Sequence, residues 1–129
     1  MKTIEFSTSQ KCEIVDLTLE LQDFVTKLKI EEGICLIFTP HATAAVILNE
    51  NEPGLKNDII FKARTIFSGK YEHDKIDNNA QAHLAASFFG QSVTIPIIKN
   101  RPILGTWQRL LFCEFDGPRP NRKIFMIAE

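Results

Sequence analysis

The stretch Ile34-Cys35-Leu36-Ile37-Phe38 is a run of five apolar residues that ends shortly before Pro40. A run of this length is too short for a typical helix, and it is typical of a buried strand. A second apolar run, from Ala44 to Leu48, follows after Thr43. We therefore predict two strands here, separated by a short polar segment.

Toward the N-terminus, the pattern predicts two short strands and one helix. Residues Thr3–Ser7 alternate between polar and apolar side chains, as a half-buried strand does, and Lys11–Val15 is interpreted as a second strand. Asp16 is suited to cap a helix, and the apolar residues within Leu17–Leu28 recur at helical spacing. We expect this helix to end at Glu32-Gly33.

Toward the C-terminus, the pattern predicts two more helices and then a group of strands. Apolar residues within Leu55–Phe67 share one helical face, whereas the charged segment Lys70–Asn79 is interpreted as a loop. The alanine-rich segment Ala80–Phe89 precedes Gly90, a residue typical of a helix end. The three predicted strands are Ser92–Ile97, Leu104–Phe115, bent near Gly105, and Lys123–Ala128.

These elements predict an α+β fold in which a largely antiparallel sheet packs against about three helices. The turn segments Asn100–Pro102 and Asp116–Pro118 separate the last strands. The chain has 129 residues, without internal repeats or a low-complexity linker, so we predict one domain over residues 1–129.

Composition excludes several classes of protein. Fifteen basic residues balance sixteen acidic ones, which leaves no global positive field for nucleic acid. Three cysteines without CxxC spacing argue against a disulfide scaffold or a zinc ribbon and favour a reducing, cytoplasmic location. No apolar run approaches the length of a membrane span, and we expect no membrane partner.

Polar residues at the ends of the strands are the candidates for chemistry. The segment Pro40–Ala45 places His41 and Thr43 among small residues that leave room for a ligand. At the far end of the same strand, Asn49 and Glu50 offer an amide and a carboxylate. The alternatives are a turn-capping histidine for the first group and a solvated turn for the second.

A second group contains the other two histidines of the chain, His73 and His83. Their spacing of ten residues does not place them on one helical face, but a loop followed by a helix start can bring them together. Asp74 or Asp77 would then be an acceptor for an imidazole. Three imidazoles with an open fourth position are typical of catalytic zinc, although spacing alone does not bring His41 to this pair.

Two further groups lie near the C-terminus. Trp107, two residues after Gly105, is suited to stack on a heterocycle, with a core tryptophan as the alternative. Arg119 and Arg122 follow the turn at Asp116 and could clamp a phosphate, with a solvated basic turn as the alternative.

Together these groups resemble the motifs of the YjbQ family. Phe38–Ala45 with Asn49-Glu50 is similar to its first element, and Tyr71–Leu84 to its central segment. Leu104–Gln108 and Glu114–Arg119 are similar to its C-terminal signatures. The match runs in order over nearly the whole chain.

The resemblance implies a homotrimeric α+β protein with a thiamine-phosphate-synthase-like activity. That reaction joins hydroxymethylpyrimidine diphosphate to thiazole phosphate and releases pyrophosphate. The alternative is a metal-binding homotrimer that binds or processes another phosphorylated or anionic small molecule. Either role implies a divalent metal, Zn or Mg.

The resemblance also implies roles for individual residues. The expected catalytic residues are His41, Glu50 and Asp116. The expected substrate-binding residues are Thr43, Asn49, Trp107, Gln108 and Arg119. The expected metal ligands are His41, His73 and His83.

Overall fold

Eight strands and three α-helices form the protein in the computed structural model, which describes all of residues 1–129. The strands are β1 (Lys2–Phe6), β2 (Glu13–Asp16), β3 (Glu32–Phe38), β4 (Ala44–Asn49), β5 (Ser92–Ile98), β6 (Arg101–Pro102), β7 (Arg109–Glu114) and β8 (Arg122–Ala128). The helices are α1 (Thr18–Leu28), α2 (Pro53–Ile66) and α3 (Ala80–Phe89), with a 3₁₀ helix at Glu72–Lys75.

The strands form two antiparallel sheets. Five strands pair in the order β1-β8-β3-β5-β6, and three pair in the order β2-β7-β4. Every strand pair is antiparallel, which confirms the predicted α+β class. The apolar run that decided the prediction lies in β3, between β8 and β5.

The two sheets enclose the main core, to which α1 also contributes. Ile37, Ile95 and Met126 from the five-stranded sheet share a buried cluster with Val46 and Phe112 from the three-stranded sheet. These side chains are fully or almost fully buried, which is the arrangement that stabilises a face-to-face sheet packing.

A second, smaller core lies between the three-stranded sheet and the helices. Cys113 and Phe115 pack there against the small side chains of Ala82, Ala85 and Ala86 on α3. Because alanine allows close approach, α3 lies directly against the sheet. The strand β7 contributes to both cores, with Phe112 on one face and Cys113 on the other.

Two of the predicted boundaries were wrong. Helix α1 ends at Leu28, followed by Lys29 in the left-handed conformation (φ 56°), and Glu32-Gly33 belongs to β3. A side chain at Gly33 would lie 2.4 Å from the carbonyl oxygen of Glu129, so the glycine permits close strand approach there and does not end the helix.

The predicted strand Leu104–Phe115 is also shorter than expected, because β7 begins only at Arg109. The side chain of Gln108 folds back, and its Oε1 accepts a hydrogen bond from the backbone N–H of Gly105 at 2.8 Å. This local turn replaces strand pairing between Gly105 and Gln108. The charged loop Lys70–Asn79, in turn, contains the 3₁₀ helix.

Candidate functional site

The loop between β3 and β4 and the helix α3 border an open pocket of about 500 Å³. His41 lies on the loop side of this pocket and His83 on the helix side. Phe38, at the end of β3, also lines the pocket. Two of the three predicted histidines therefore face one space, from separate elements of the fold.

The third histidine lies next to His83. The rings of His73 and His83 are arranged edge to face, with their centroids 4.6 Å apart. Residues Glu72–Lys75 form the 3₁₀ helix that places His73 there, and the Asp74 carboxylate accepts a hydrogen bond from the N–H of Ala80 at the start of α3. Thus the loop and the helix are joined where the two imidazoles meet.

A chain of hydrogen bonds connects His73 to Asp116. Nε2 of His73 lies 3.0 Å from Oδ1 of Asn79, and Nδ2 of Asn79 donates to Oδ2 of Asp116 at 2.8 Å. Because the amide oxygen of Asn79 can only accept, Nε2 of His73 carries the proton in this arrangement. In the neutral ring, the lone pair of His73 is therefore on Nδ1.

Two cations hold the carboxylate of Asp116. Lys11 donates to Oδ1 at 2.5 Å, and Nη2 of Arg119 donates to Oδ2 at 2.8 Å. Burial alone would raise the pKa of Asp116, but hydrogen bonds from Asn79, Lys11 and Arg119 outweigh it and lower the pKa. Asp116 is thus an ionised anchor, and Arg119 stays half-exposed with its Nη1 group free of these bonds.

A buried ion pair lies behind Asp116. The guanidinium of Arg122 donates to both oxygens of Glu114, and the two side chains are only 6% and 0% exposed. Thr8 donates to Glu114 at 2.6 Å, and Arg122 donates to the hydroxyl of Thr43 at 2.9 Å. Burial would raise the pKa of Glu114, but the hydrogen bonds from Arg122 and Thr8 outweigh it and lower the pKa.

The side chains of Thr43 and Arg122 are therefore buried inside the protein. The alternation of Arg122 with the buried Ile124 and Met126 is a period-two signal that places Arg122 on the inner face of β8. Glu114 has no such signal, because every residue from Leu110 to Glu114 is buried and the strand does not alternate. Lys11, which the sequence reasoning missed, carries no comparable signal.

The remaining predicted site residues lie at the other end of β4. Glu50 and Trp107 line a separate open cleft of about 280 Å³, and Asn49 accepts a hydrogen bond from the N–H of Glu50. The indole of Trp107 is 71% exposed, so it is not the core tryptophan that was the alternative interpretation. Gln108 binds the backbone of Gly105.

The predicted site residues thus form two groups within one chain. Strand β4 runs from Ala44, next to the histidine pocket, to Asn49, at the Trp107 cleft. At about 3.4 Å per residue, the two ends lie about 17 Å apart. The predicted catalytic residues His41 and Asp116 belong to the first group, and Glu50 belongs to the second.

The donors at the histidine pocket fit a metal only in part. His73 and His83 can each offer an imidazole nitrogen, but Nε2 of His41 already accepts a hydrogen bond from the backbone N–H of Lys123 at 2.9 Å. No three histidine, cysteine, aspartate or glutamate side chains of the chain are grouped as a metal site. The single chain therefore provides an imidazole pair and no three-histidine ligand set.

Comparison with known proteins agrees with the motifs. The family model described as UPF0047 protein YjbQ-like matches residues 2–128. The chain belongs to the YjbQ family. A UPF0047 protein of Archaeoglobus fulgidus is 43% identical over 123 residues, which cover 94% of this chain and 95% of the relative. The YugU protein of Bacillus subtilis is 37% identical, with 92% of each chain covered.

Solved structures of YjbQ-family proteins have the same fold. A protein of unknown function from Sulfolobus solfataricus superposes with a TM-score of 0.95 at 41% identity, covering 97% of this chain and 92% of that one. An uncharacterised protein from Clostridium acetobutylicum gives a TM-score of 0.94 at 33% identity, with full coverage of both chains. None of the helices of this chain combines the length and the hydrophobicity needed to cross a membrane.

Proposed function

We propose that this YjbQ-family protein is a thiamine-phosphate-synthase-like transferase that binds a substrate phosphate at the histidine pocket. The reaction joins hydroxymethylpyrimidine diphosphate to thiazole phosphate, forming the new C–N bond as the C–O bond to pyrophosphate breaks. The supporting observation is the convergence of His41 and His83 on one open pocket, with His73 against His83.

The charges near the pocket suit an anionic ligand. A diphosphate leaving group has to be stabilised by cations or N–H donors as it departs. Arg119 remains half-exposed beside the chain of hydrogen bonds that ends at His73, and it keeps one donor group free. Asp116 holds Arg119 in place, so its role is to position a cation.

The direct test is an assay of the purified protein with both thiamine precursors, with and without a divalent metal. We expect thiamine phosphate to form, and we expect His83→Ala to lower kcat/KM on the order of 10- to 100-fold through loss of a charged hydrogen bond. The matched control is Gln22→Ala on α1, which removes an exposed polar side chain far from the pocket. No product, together with no rescue of a thiamine-requiring strain, would reject the proposal.

The proposed working unit is a homotrimer, supported by an apolar surface on the five-stranded sheet. Ile34, Leu36 and Phe38 of β3 and Ile127 of β8 point away from the core and are 37–49% exposed. Leu36 pairs with Ile127, and Phe38 stacks on Phe125 at a centroid distance of 6.4 Å. We call this surface the outer sheet face. A continuous apolar patch of this kind is typical of an interface between proteins.

Light scattering tests this assembly. We expect a mass three times the 14.7 kDa of the chain, and a smaller mass after Leu36→Lys, which places a charge on the outer sheet face. Leu19→Lys is the control, because Leu19 is an exposed leucine on α1, away from that face. A monomeric wild-type protein at micromolar concentration would contradict the trimer.

A homotrimer would also give a use to the second group of residues. Since about 17 Å separates the histidine pocket from the Trp107 cleft in one chain, one small substrate does not contact both. We propose that the cleft lined by Glu50 and Trp107, with Asn49 and Gln108 adjacent to them in the chain, serves the pocket of a neighbouring subunit and binds the heterocycle. Mixed trimers of His83→Ala and Trp107→Ala chains should then be more active than either parent variant. If they are not, the two groups do not act together across subunits.

The alternative function is a metal-binding homotrimer that binds another phosphorylated or anionic molecule. It is favoured by the contact between His73 and His83, since the hydrogen bond from His73 to Asn79 leaves a nitrogen lone pair on that ring. Zn or Mg would be held by this imidazole pair together with ligand oxygens. A stoichiometric metal that is lost in His83→Ala, without synthase activity in the parent, would support this alternative.

A further inference from the structure

Three side-chain hydrogen bonds fasten the loop that carries His41 to the start of β8. The hydroxyl of Thr39 donates to the carbonyl oxygen of Lys123 at 3.0 Å. The N–H of Lys123 donates to Nε2 of His41 at 2.9 Å, and Arg122 donates to the hydroxyl of Thr43 at 2.9 Å. Alternate residues of the loop are thus held by two consecutive residues of the strand, which defines the position of the imidazole.

The bond from Lys123 also determines where the proton of His41 lies. A ring nitrogen that accepts a hydrogen bond needs its lone pair, and a neutral imidazole has only one such nitrogen. Nε2 is that acceptor, so the proton is on Nδ1. Nδ1 of His41 makes no hydrogen bond within the chain. The only buried side-chain oxygen or nitrogen without a hydrogen bond is Oδ1 of Asn100, so Nδ1 of His41 is not buried and reaches solvent.

The charges around His41 favour the neutral ring. Burial lowers the pKa of His41, and the cations of Arg122, Lys123 and Arg119 lower it further, whereas Glu114 raises it. The net effect is a lowered pKa. The direction of this shift agrees with the contact from Lys123, which occupies the lone pair of Nε2 and leaves a single N–H group, on Nδ1, directed away from Lys123.

We infer that His41 is a neutral hydrogen-bond donor, whose Nδ1–H binds a phosphate oxygen of the substrate, and that it is neither a metal ligand nor a general base. The identity of the acceptor rests on the proposed function, whereas the protonation state follows from the contact with Lys123. In this arrangement neither nitrogen has a free lone pair, because Nε2 accepts from the backbone and Nδ1 carries the proton. Metal binding at this pocket is then left to His73 and His83.

The test is a long-range ¹H–¹⁵N NMR spectrum of the imidazoles in uniformly ¹⁵N-labelled protein at pH 7.5. Three histidines give three ring patterns, and His73→Ala and His83→Ala assign them. We expect a protonated Nδ1 and an unprotonated Nε2 for His41. An Nε2–H tautomer, an imidazolium, or a His41 ring nitrogen that shifts as a ligand when Zn²⁺ is added would overturn the inference.

Inorganic pyrophosphate is the probe for the acceptor. We expect it to shift the Nδ1 resonance of His41 without changing the tautomer. His41→Asn, whose amide can keep an N–H near the position of Nδ1, should bind pyrophosphate within a few-fold of wild type. His41→Gln keeps only the group near Nε2 and should bind on the order of tenfold more weakly. No response of Nδ1, or equal binding by both variants, would overturn the donor role.

These results are distinguishable from the outcome of the synthase assay. A protein that shifts the Nδ1 resonance with pyrophosphate but makes no thiamine phosphate would support the donor role and reject the proposed function. An active synthase in which His41 has the Nε2–H tautomer would support the proposed function and reject the donor role.

Discussion

His73 and His83 contact each other edge to face, with ring centroids 4.6 Å apart, although ten residues separate them in the sequence. The contact depends on the chain of hydrogen bonds through Asn79, since that side chain joins His73 to Asp116. The orientation of the pair therefore depends on Asn79, which does not itself line the pocket.

Replacing Asn79 with leucine should release His73 from this chain. We expect kcat/KM, or metal affinity if the alternative function holds, to fall on the order of 10- to 100-fold, as is usual when a partner that orients a functional histidine is removed. Steady-state kinetics and metal titration measure this. Asn57→Leu, which replaces an exposed asparagine on α2, is the control. Equal effects in both variants would show that Asn79 does not orient His73.

Breaking the buried ion pair should strongly destabilise the fold. Arg122→Met leaves the fully buried carboxylate of Glu114 without its cation, which we expect to lower the free energy of unfolding by about 3–5 kcal/mol. Urea denaturation at pH 7 measures the change. Lys27→Met, which removes an exposed partner of Asp23, should have a much smaller effect.

Replacing both partners should be better tolerated than replacing one. In Arg122→Met combined with Glu114→Met, no unpaired charge remains inside the sheet sandwich. If the double variant is as unstable as Arg122→Met alone, the cost comes from packing and not from the isolated carboxylate.

Acid should destabilise the protein in two steps. The pKa of His41 is lowered in the folded state, so unfolded chains bind more protons and stability declines as the pH falls below about 6.5. The pKa values of Glu114 and Asp116 are also lowered, so their contribution is present above about pH 4 and is lost as the pH falls through their folded values.

Free energies of unfolding measured in urea between pH 3 and pH 8 would resolve these steps. His41→Asn should remove the contribution of His41 to the loss of stability below pH 6.5. The loss below pH 4, which depends on Glu114 and Asp116, should remain. A stability that increases as the pH falls from 6.5 to 5 would show the opposite linkage for His41.

The cysteines should be unreactive while the protein is folded. Burial raises the pKa of Cys35 to about 11 and that of Cys113 to about 12, and it also raises the pKa of Cys12. Thiolate is the reactive form, so labelling with a thiol reagent at pH 7.5 should be slow in buffer and fast, with three thiols, in denaturant. Rapid labelling of folded Cys113 would contradict this.

The sequence predicted an element correctly where the residues of that element alone determine its structure. Helix α3 spans Ala80–Phe89, as predicted, because the alanine run favours a helix and Gly90 ends it. The strand predicted from Leu104 failed because the side chain of Gln108 makes a bond to Gly105 that no periodicity reveals.

The site depended on contacts between distant segments. The motifs included every histidine, but only the fold shows that His41 and His83 share a pocket while Glu50 lies at the far end of β4. The bond from the backbone of Lys123 to His41 joins residues 82 positions apart. A backbone donor has no side-chain signature, so sequence patterns could not identify it.

Strand β7 belongs to both apolar cores, through Phe112 on one face and Cys113 on the other, and its neighbour β4 does so through Val46 and Ala45. Loss of β7 would expose the interior of the sheet sandwich and the underside of α3 at the same moment. The amide protons of β7 should therefore exchange with deuterium last, and only through global opening of the chain. Helix α3, which carries His83, then cannot unfold independently of the sheets that hold the loop with His41. The pocket therefore persists as long as the molecule stays folded.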